Sequence, residues 1–173
     1  MDRRGFIKYC VLTGSLLLTE RSFAFNSERS LYLYNIHTGE YVKEVYWENG
    51  IYNTEALKKI NYLLRDHRTG DVKEIDINLI ELLNEINSQL QNKKPIHIIS
   101  GYRSPFSNEF LRKVSSGVAK NSMHILGKAA DISIPGIPLH IVREVAINIG
   151  KGGVGYYPTS NFVHIDIGRF RVW

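Results

Sequence analysis

Two segments between residues 31 and 47 alternate with the period of a β-strand, and no other pattern in the chain restricts its fold as strongly. Residues 31–36 read Leu-Tyr-Leu-Tyr-Asn-Ile, and residues 41–47 read Tyr-Val-Lys-Glu-Val-Tyr-Trp. The four residues between them, His-Thr-Gly-Glu, are typical of a turn. Successive side chains of a strand project from opposite faces, so the pattern predicts two strands with one face on a core. Together the segments predict a β-hairpin, and therefore an early antiparallel pair.

Helix and strand patterns follow the hairpin in mixed order. Asn53 or Thr54 is expected to cap a first helix, and Asp76 a second one whose apolar residues recur at helical spacing. A third helix begins at Ser104-Pro105, and a fourth runs from Pro138 to Gly150. Further strands are predicted at 96–99, 129–134, 154–157 and 162–167, the last two as an antiparallel pair. Because strands and helices are partly segregated, we expect an α+β fold with an antiparallel sheet and flanking helices.

Length and composition limit the class of protein. A chain of 173 residues with 43% hydrophobic and 23% charged residues has the size that folds around one core. The formal net charge of +5 is modest, and basic residues are scattered among acidic ones, so nucleic-acid binding is not expected. Most of the ten tyrosines and two tryptophans are assigned to the core. The exceptions flank the motifs described below, namely Tyr102, Tyr156 and Tyr157.

The first 24 residues have the three-part layout of an export signal. Arg3 and Arg4 belong to a basic start, residues 11–19 form an apolar run, and Ser-Phe-Ala ends at a cleavage site after Ala24. The start resembles a twin-arginine signal. The apolar run is well short of the ~20 residues that span a bilayer. We therefore expect an exported protein with no stable membrane insertion once the signal is removed.

Removal of residues 1–24 would leave residues 25–173 as a single domain. The signal carries four basic and two acidic residues, so the net charge would fall from +5 to +3. It also contains Cys10, the single cysteine of the chain. The exported product would therefore have neither a disulfide nor a thiol nucleophile.

Two of the six histidines stand in patterns that can bring them beside carboxylates. His124 precedes Asp131, and Gly127 between them allows a tight turn. His164 and Asp166 are two residues apart in a predicted strand, so they project from one face. Two histidines and a carboxylate suit a zinc ion that keeps its fourth position for water, yet this spacing also arises by chance. The remaining histidines are interpreted as structural: His37, His67, His97 and His140.

Four motifs stand out in the second half of the chain. They are Ser-Gly-Tyr-Arg-Ser at 100–104, Ser-x-His-x-x-Gly-x-Ala-x-Asp at 122–131, Gly-Val-Gly-Tyr-Tyr-Pro at 153–158 and Phe-Val-His-Ile-Asp at 162–166. These motifs resemble the zinc D-Ala-D-Ala peptidase family, which groups with lysostaphin-type enzymes and the hedgehog signalling domain. Two more segments, at 64–70 and 168–173, extend the resemblance to the murein endopeptidases of Gram-negative bacteria over nearly the whole chain.

The resemblance implies a hedgehog-like fold and one zinc ion per chain. The implied ligands are His124, Asp131 and His164. It also implies that Arg103 stabilises the oxyanion of a tetrahedral intermediate, a task that suits a guanidinium because it keeps its charge. A structural ion pair is the alternative role for Arg103.

One position departs from the family pattern. Many relatives carry a glutamate or aspartate three residues before the last zinc histidine as general base, whereas this chain has Asn161. An amide cannot take a proton from water. Asp166 is the nearest suitable carboxylate, and we expect it either to act as the base or to orient His164. Substrate contacts are expected from residues near the metal, namely Tyr102, Ser122 and Tyr156.

The implied activity is zinc-assisted hydrolysis of peptide cross-links in peptidoglycan, in the periplasm, after export by the twin-arginine route. The 3–3 links between two meso-diaminopimelate residues are the expected substrate. Stem peptides carry carboxylates, which suits a basic protein. Two alternatives stay open: a D,D-carboxypeptidase that acts on free stem peptides, and a zinc-bearing binding module without hydrolysis.

Overall fold

The computed structural model describes residues 27–115 and 118–173, so the predicted export signal and Cys10 lie outside the described residues. The strands are β1 (Glu28–Asn35), β2 (Tyr41–Glu48), β3 (Ile51–Tyr52), β4 (Ile96–Ser100), β5 (Ala129–Ser133), β6 (Gly153–Tyr157), β7 (Phe162–Asp166) and β8 (Arg171–Val172). The α-helices are α1 (Thr54–Leu63), α2 (Ile77–Gln89), α3 (Pro105–Val114) and α4 (Leu139–Ile149), and a 3₁₀ helix spans Met123–Leu126. Within this described part, no helix has the length and apolar character needed to cross a membrane.

All these strands belong to one open sheet, in the order β3-β2-β1-β4-β5-β7-β6-β8. The hairpin of β1 with β2 and the antiparallel pair of β6 with β7 are confirmed. The sheet is mixed rather than wholly antiparallel, because β1 runs parallel to β4 and β6 runs parallel to β8. Parallel strands need a long crossover, and helices α1 and α2 supply it between β1 and β4. The α+β class is confirmed.

Local capping signals place the helix ends where the sequence predicts them. The Asn53 side chain accepts hydrogen bonds from two backbone amides of α1, at 3.1 Å each. Asp76 caps α2 through one such bond at 3.0 Å, and Ser104 caps α3 through one at 3.2 Å. Gly150 ends α4 with a φ of 71°, in the left-handed region that glycine adopts without strain.

The sheet separates the hydrophobic core from the polar motif residues. Strand β5 sends Ala130 and Ile132 into the core that the helices share, and β7 sends Val163 and Ile165. Side chains alternate along a strand, so the residues between them, among them Asp131, project from the opposite face. Polar side chains of the motifs therefore lie on the face of the sheet opposite the hydrophobic core.

Candidate metal centre

Three side chains that can bind a metal meet on this face of the sheet: His124, Asp131 and His164. Asp131 and His164 lie directly opposite each other on β5 and β7. The His164 Nδ1 atom is 2.8 Å from Asp131 Oδ1, and the His124 Nε2 atom is 3.3 Å from the same oxygen. The two ring nitrogens are 3.2 Å apart. The structure thus brings together the three residues that the motifs assign to one site.

The 3₁₀ helix delivers His124 to this point. Ser122 caps the helix, because its hydroxyl accepts a hydrogen bond from the backbone N–H of His124 at 3.3 Å. Gly127 ends it with a φ of 69°, and a Cβ added there would lie 2.7 Å from the Glu74 carbonyl oxygen. The turn therefore requires glycine, as the sequence predicts. The sequence predicted only the tight turn at Gly127 and not the 3₁₀ helix, since four residues are too few to show a periodic pattern.

Hydrogen bonds behind the two histidines decide which ring nitrogens face the cluster. The His124 Nδ1 atom is 2.7 Å from the Gly101 carbonyl oxygen, which can only accept, so this nitrogen carries the proton. The His164 Nε2 atom is 3.1 Å from Asp166 Oδ2, which can accept a hydrogen bond from it and so leave Nδ1 to face the cluster as a ligand atom. With each ring in this tautomer, two nitrogen lone pairs and an oxygen of Asp131 face one point that a cation can occupy.

The electrostatics of the cluster favour positive charge. Burial raises the pKa of Asp131, but the adjoining His124 and His164 outweigh burial and hold that pKa below its usual range. Burial lowers the pKa of His164, but Asp131 and Asp166 outweigh it and raise that pKa above its usual value. Ligands of a tetrahedral zinc ion at about 2.1 Å lie about 3.4 Å apart, close to the spacing of these atoms. The donor set thus fits a divalent transition metal.

Asp166 lies on the far side of the His164 ring from the cluster. Its side chain is fully buried, and its Oδ2 atom is 2.6 Å from a guanidinium nitrogen of Arg171. Its Oδ1 atom accepts backbone hydrogen bonds from Gly153 at 3.0 Å and Gly168 at 2.8 Å. Both oxygens are thus engaged away from Asp131. This placement disfavours Asp166 as a base for water at the cluster and favours the alternative, orientation of His164.

Arg103 follows β4, and its guanidinium borders the cluster. Its backbone N–H donates to the His124 carbonyl oxygen at 3.2 Å, which joins this turn to the 3₁₀ helix. The Nη2 atom is 3.7 Å from Asp131 Oδ2 and 3.5 Å from the Ser100 hydroxyl, both long contacts. The buried Nε atom has no acceptor among the described residues. Burial lowers the pKa of Arg103. The side chain is therefore a buried cation with donors to spare.

A row of residues crosses the sheet at the level of the cluster. Ser100 lies opposite Asp131, which lies opposite His164, which lies opposite Gly155. The parallel pairing of β6 with β8 places Trp173 beside Gly155. A Cβ at Gly155 would lie 2.7 Å from the Trp173 ring, whose centroid is 5.4 Å from that of His164. The missing side chain at Gly155 thus makes room for an indole next to the cluster.

A cavity of about 230 Å³ opens over the cluster. Ser122, one of the predicted substrate contacts, is among the residues that line it. The sequence analysis did not single out several of the other lining residues: Val118, Ala119, Asn121, Met123, Phe162, Arg171 and Trp173. Phe162 lies in the 162–166 motif, and Arg171 and Trp173 lie in the 168–173 segment, whereas the other four have no signal of their own.

Tyr102 and Tyr156 do not line this cavity, and their contact with substrate stays a prediction. Tyr156 is paired with a core residue of β7 and packs against the core, as does Tyr102. Tyr157 is the tyrosine of β6 that lines the cavity, and it pairs with Phe162. Tyr157 lies two residues after Gly155, which pairs with His164, so its side chain is on the cluster face of the sheet. The sequence could have predicted this position only if the register of β6 against β7 had been known.

Asn161 lies in the turn between β6 and β7 with a φ of 53°. It borders a separate depression together with His97 and Pro135. The departure from the family pattern at this position therefore removes no carboxylate from the cavity over the cluster. Within the described part of the chain, Asp131 is the only Asp or Glu that lines that cavity.

The remaining histidines stand apart from the cluster. His37 and His67 stack on each other with ring centroids 3.9 Å apart, and His97 lies against Tyr34 at 5.0 Å. His140 lies in the first turn of α4. Across residues 27–115 and 118–173, no other group of three side chains is arranged to hold a metal.

Comparisons with known proteins agree with this geometry. Residues 24–173 match the M15 peptidase family described as peptidoglycan L,D-endopeptidase MepK. The chain is 44% identical over 166 residues to peptidoglycan L,D-endopeptidase MepK of Escherichia coli strain K12, covering 94% of this chain and 91% of that protein. It is 44% identical over 146 residues to the probable peptidoglycan L,D-endopeptidase MepK of Haemophilus influenzae, covering 84% and 78%. The family match includes every residue of the cluster.

Proposed function

The chain belongs to the M15 peptidase family, and we propose that it is a zinc endopeptidase that hydrolyses peptide cross-links of peptidoglycan. The observation that carries this proposal is the meeting of His124, Asp131 and His164, whose lone-pair atoms lie 2.8–3.3 Å apart. A cation bound between these atoms would hold them in this arrangement, and the ligand atoms of a tetrahedral zinc ion have a similar spacing.

The metal is proposed to be one zinc ion per chain. Three protein ligands of the types His, Asp and His leave one tetrahedral position for water or substrate, as in catalytic zinc sites. Zinc bound there would lower the pKa of its water to about 7 and polarise the substrate carbonyl. The protein contributes the fixed orientation of the ligands and the cavity above them.

Asp166 is proposed as a positioning residue rather than the general base. Its carboxylate holds the Nε2–H of His164, so that Nδ1 faces the cluster. Arg171 in turn holds Asp166 through the 2.6 Å ion pair. The Gly101 carbonyl has the corresponding role for His124, because it accepts the Nδ1–H and leaves Nε2 facing the cluster. Such outer partners fix the tautomer of a metal-bound histidine and increase its basicity.

Arg103 is proposed to stabilise the oxyanion. In amide hydrolysis, the oxygen of water forms a bond to the carbonyl carbon, the carbonyl oxygen takes up negative charge, and the C–N bond then breaks. The leaving amine takes one proton of the water. Arg103 lines the cavity and keeps its charge, and its Nη2 atom makes only long contacts, so this guanidinium can donate to that oxygen when the charge develops.

The substrate is proposed to be the 3–3 cross-link between two meso-diaminopimelate residues. The relatives are named as L,D-endopeptidases, and a 3–3 link joins an L centre to a D centre. Two cations, Arg103 and Arg171, line the cavity and suit the carboxylates of stem peptides. The location is proposed to be the periplasm, reached by the twin-arginine signal in residues 1–24.

The test offers the purified protein three substrates: 3–3 dimers, 4–3 dimers and pentapeptide monomers, with products separated by chromatography. Conversion of 3–3 dimers to monomers is expected, and the His164→Ala variant should leave them intact. Release of free D-alanine with dimers untouched would indicate a D,D-carboxypeptidase instead. Binding of all three without any product would indicate a binding module.

A further inference from the structure

The hydroxyl of Tyr157 stands on the cavity wall with its hydrogen unused. The indole Nε1–H of Trp173 lies 2.8 Å from the Tyr157 oxygen. An indole nitrogen is only a donor, so the phenol oxygen accepts this bond and its own O–H points elsewhere. Among the described residues, that O–H has no acceptor. It is therefore a hydrogen-bond donor without a protein partner, in the cavity that holds the cluster.

The position of this hydroxyl is fixed from two sides. The Tyr157 ring stacks on Phe162 with centroids 4.6 Å apart and an interplanar angle of 21°. Two backbone hydrogen bonds hold Trp173 on β6. The Trp173 N–H donates to the Val154 carbonyl at 3.2 Å, and the Trp173 carbonyl accepts from the Tyr156 N–H at 3.0 Å. Both rings of the Tyr157–Trp173 pair are thus anchored by the sheet rather than by a loop.

The same indole also contacts the metal centre. Its ring centroid lies 5.4 Å from that of His164, and the absent side chain at Gly155 gives it that place. A shift of Trp173 would therefore move the Tyr157 hydroxyl relative to the cluster. One side chain couples the position of the hydroxyl to the metal ligands.

The other groups on the wall show which chemistry this donor serves. Arg103 supplies further donors, and Asp131 supplies the only carboxylate among the described lining residues. A wall with spare donors and no free carboxylate is suited to receive a negatively charged oxygen. On the proposed function, a scissile amide bound above the cluster would direct its carbonyl oxygen to that wall.

We propose that Tyr157 is a catalytic residue that donates its O–H to the carbonyl oxygen of the scissile amide, and that Trp173 is its positioning residue. This assignment rests on the proposed function. The phenol keeps its proton throughout, so no bond to hydrogen is broken at Tyr157. Its hydrogen bond strengthens as charge builds on the oxygen, and it therefore stabilises the transition state more than the bound substrate.

Three variants of the metal-loaded full chain test this assignment on 3–3 dimers. Tyr157→Phe removes only the hydroxyl, Trp173→Phe keeps a ring but removes the indole N–H, and Tyr41→Phe, at an exposed tyrosine of β2, is the control. We expect Tyr157→Phe to lower kcat by about 10²-fold with KM nearly unchanged, because the lost donor acts on the oxyanion. Trp173→Phe should lower kcat less than Tyr157→Phe does. In the Tyr157→Phe background it should lower kcat little further, because Trp173 acts through the Tyr157 hydroxyl. Tyr41→Phe should match the wild type.

A binding measurement provides a second readout. A phosphinate analogue of the cross-link mimics the tetrahedral intermediate, so Tyr157→Phe should weaken its binding by the same factor as kcat. Binding of the product peptide should not change. If the wild type is active and Tyr157→Phe leaves both kcat and phosphinate affinity unchanged, the role of Tyr157 alone is overturned. A metal-loaded wild type that does not hydrolyse any dimer would overturn the proposed function, and this role with it.

Discussion

At the scale of single residues, the metal centre depends on two acceptors that lie behind it. The Gly101 carbonyl and the Asp166 carboxylate each take the N–H of one histidine. The other nitrogen of each ring then faces Asp131. Groups that never touch the metal would thus decide which ligand atoms are available to it.

Asp166→Asn should therefore weaken metal binding. The amide can still accept from the His164 ring but loses the ion pair with Arg171, so the ring is held less firmly. We expect zinc affinity to fall by about 10- to 100-fold, measured by competition with a chelator. Asp71→Asn, in an exposed loop, is the matched control. Unchanged affinity together with lost turnover would show instead that Asp166 is the proton acceptor.

Arg103→Lys tests the planar guanidinium at the cavity wall. Lysine keeps the positive charge but cannot place several donors in one plane. We expect kcat to fall by about 10²-fold and KM to change little, because the contact strengthens in the transition state. Arg112→Lys on the exposed side of α3 is the control. A rise in KM at constant kcat would mean that Arg103 only anchors the peptide.

The sequence identified the cluster but not which tyrosine of β6 lies on the same face of the sheet. His124, Asp131 and His164 stand in motifs that can be recognised by residue type and spacing without knowledge of the fold. The choice between Tyr156 and Tyr157 depends on the pairing of β6 with β7, and adjacent residues of one strand face opposite sides. Two neighbouring tyrosines carry no pattern that reveals this pairing.

At the scale of elements, strand β6 leaves a gap that Trp173 fills. A Cβ in Gly155→Ala would lie 2.7 Å from the indole and must displace it. We expect turnover to fall as far as in Trp173→Ala, with the emission of Trp173 shifted toward that of an exposed indole. In a Trp173→Ala background, Gly155→Ala should cost little further activity, since the two changes act on one contact. Additive losses would contradict this account.

The turn at 64–70 is tied to the start of α3 through Asp66. Its buried carboxylate accepts from the backbone amides of Ser104 at 2.8 Å and Arg68 at 2.9 Å. Burial raises the pKa of Asp66, but these hydrogen bonds outweigh burial and lower it to about 2. The folded pKa lies below the unfolded value near 3.8, so the stabilisation is present above pH 4 and is lost as pH falls toward 2.

Asp66→Asn should lower the free energy of unfolding by about 2 kcal/mol at pH 7, since each pKa unit corresponds to about 1.4 kcal/mol. Urea unfolding of both proteins at pH 7, 4 and 2 measures the difference. The gap between wild type and variant should close between pH 4 and pH 2. A gap that stays constant over this range would contradict the assignment of the pKa shift to Asp66.

Elements with local signals were predictable, and those that depend on distant partners were not. The caps at Asn53, Asp76 and Ser104 act within one helical turn, so the sequence contains the whole signal. Strands β3 and β8 have two residues each, too few to show a period. The parallel pairing of β1 with β4 is formed across two helices, and no local pattern specifies it.

At the scale of the whole molecule, the core and the cluster lie on opposite faces of the same strands. Ala130 and Ile132 are fully buried in the core, while Asp131 between them belongs to the cluster. The strands are thus held by apolar packing that does not involve the metal ligands. The fold should therefore persist when the metal is removed, and loss of activity in ligand variants can be attributed to the site.

Metal content of the purified protein and its variants tests the central claim most directly. We expect one zinc ion per chain in the wild type and in His97→Ala, whose ring lies away from the cluster. His124→Ala, Asp131→Ala and His164→Ala should each lose the zinc and keep the circular dichroism spectrum of the wild type. Full zinc content in any of these three variants, or a wild type that binds no zinc when it is supplied, would contradict the account.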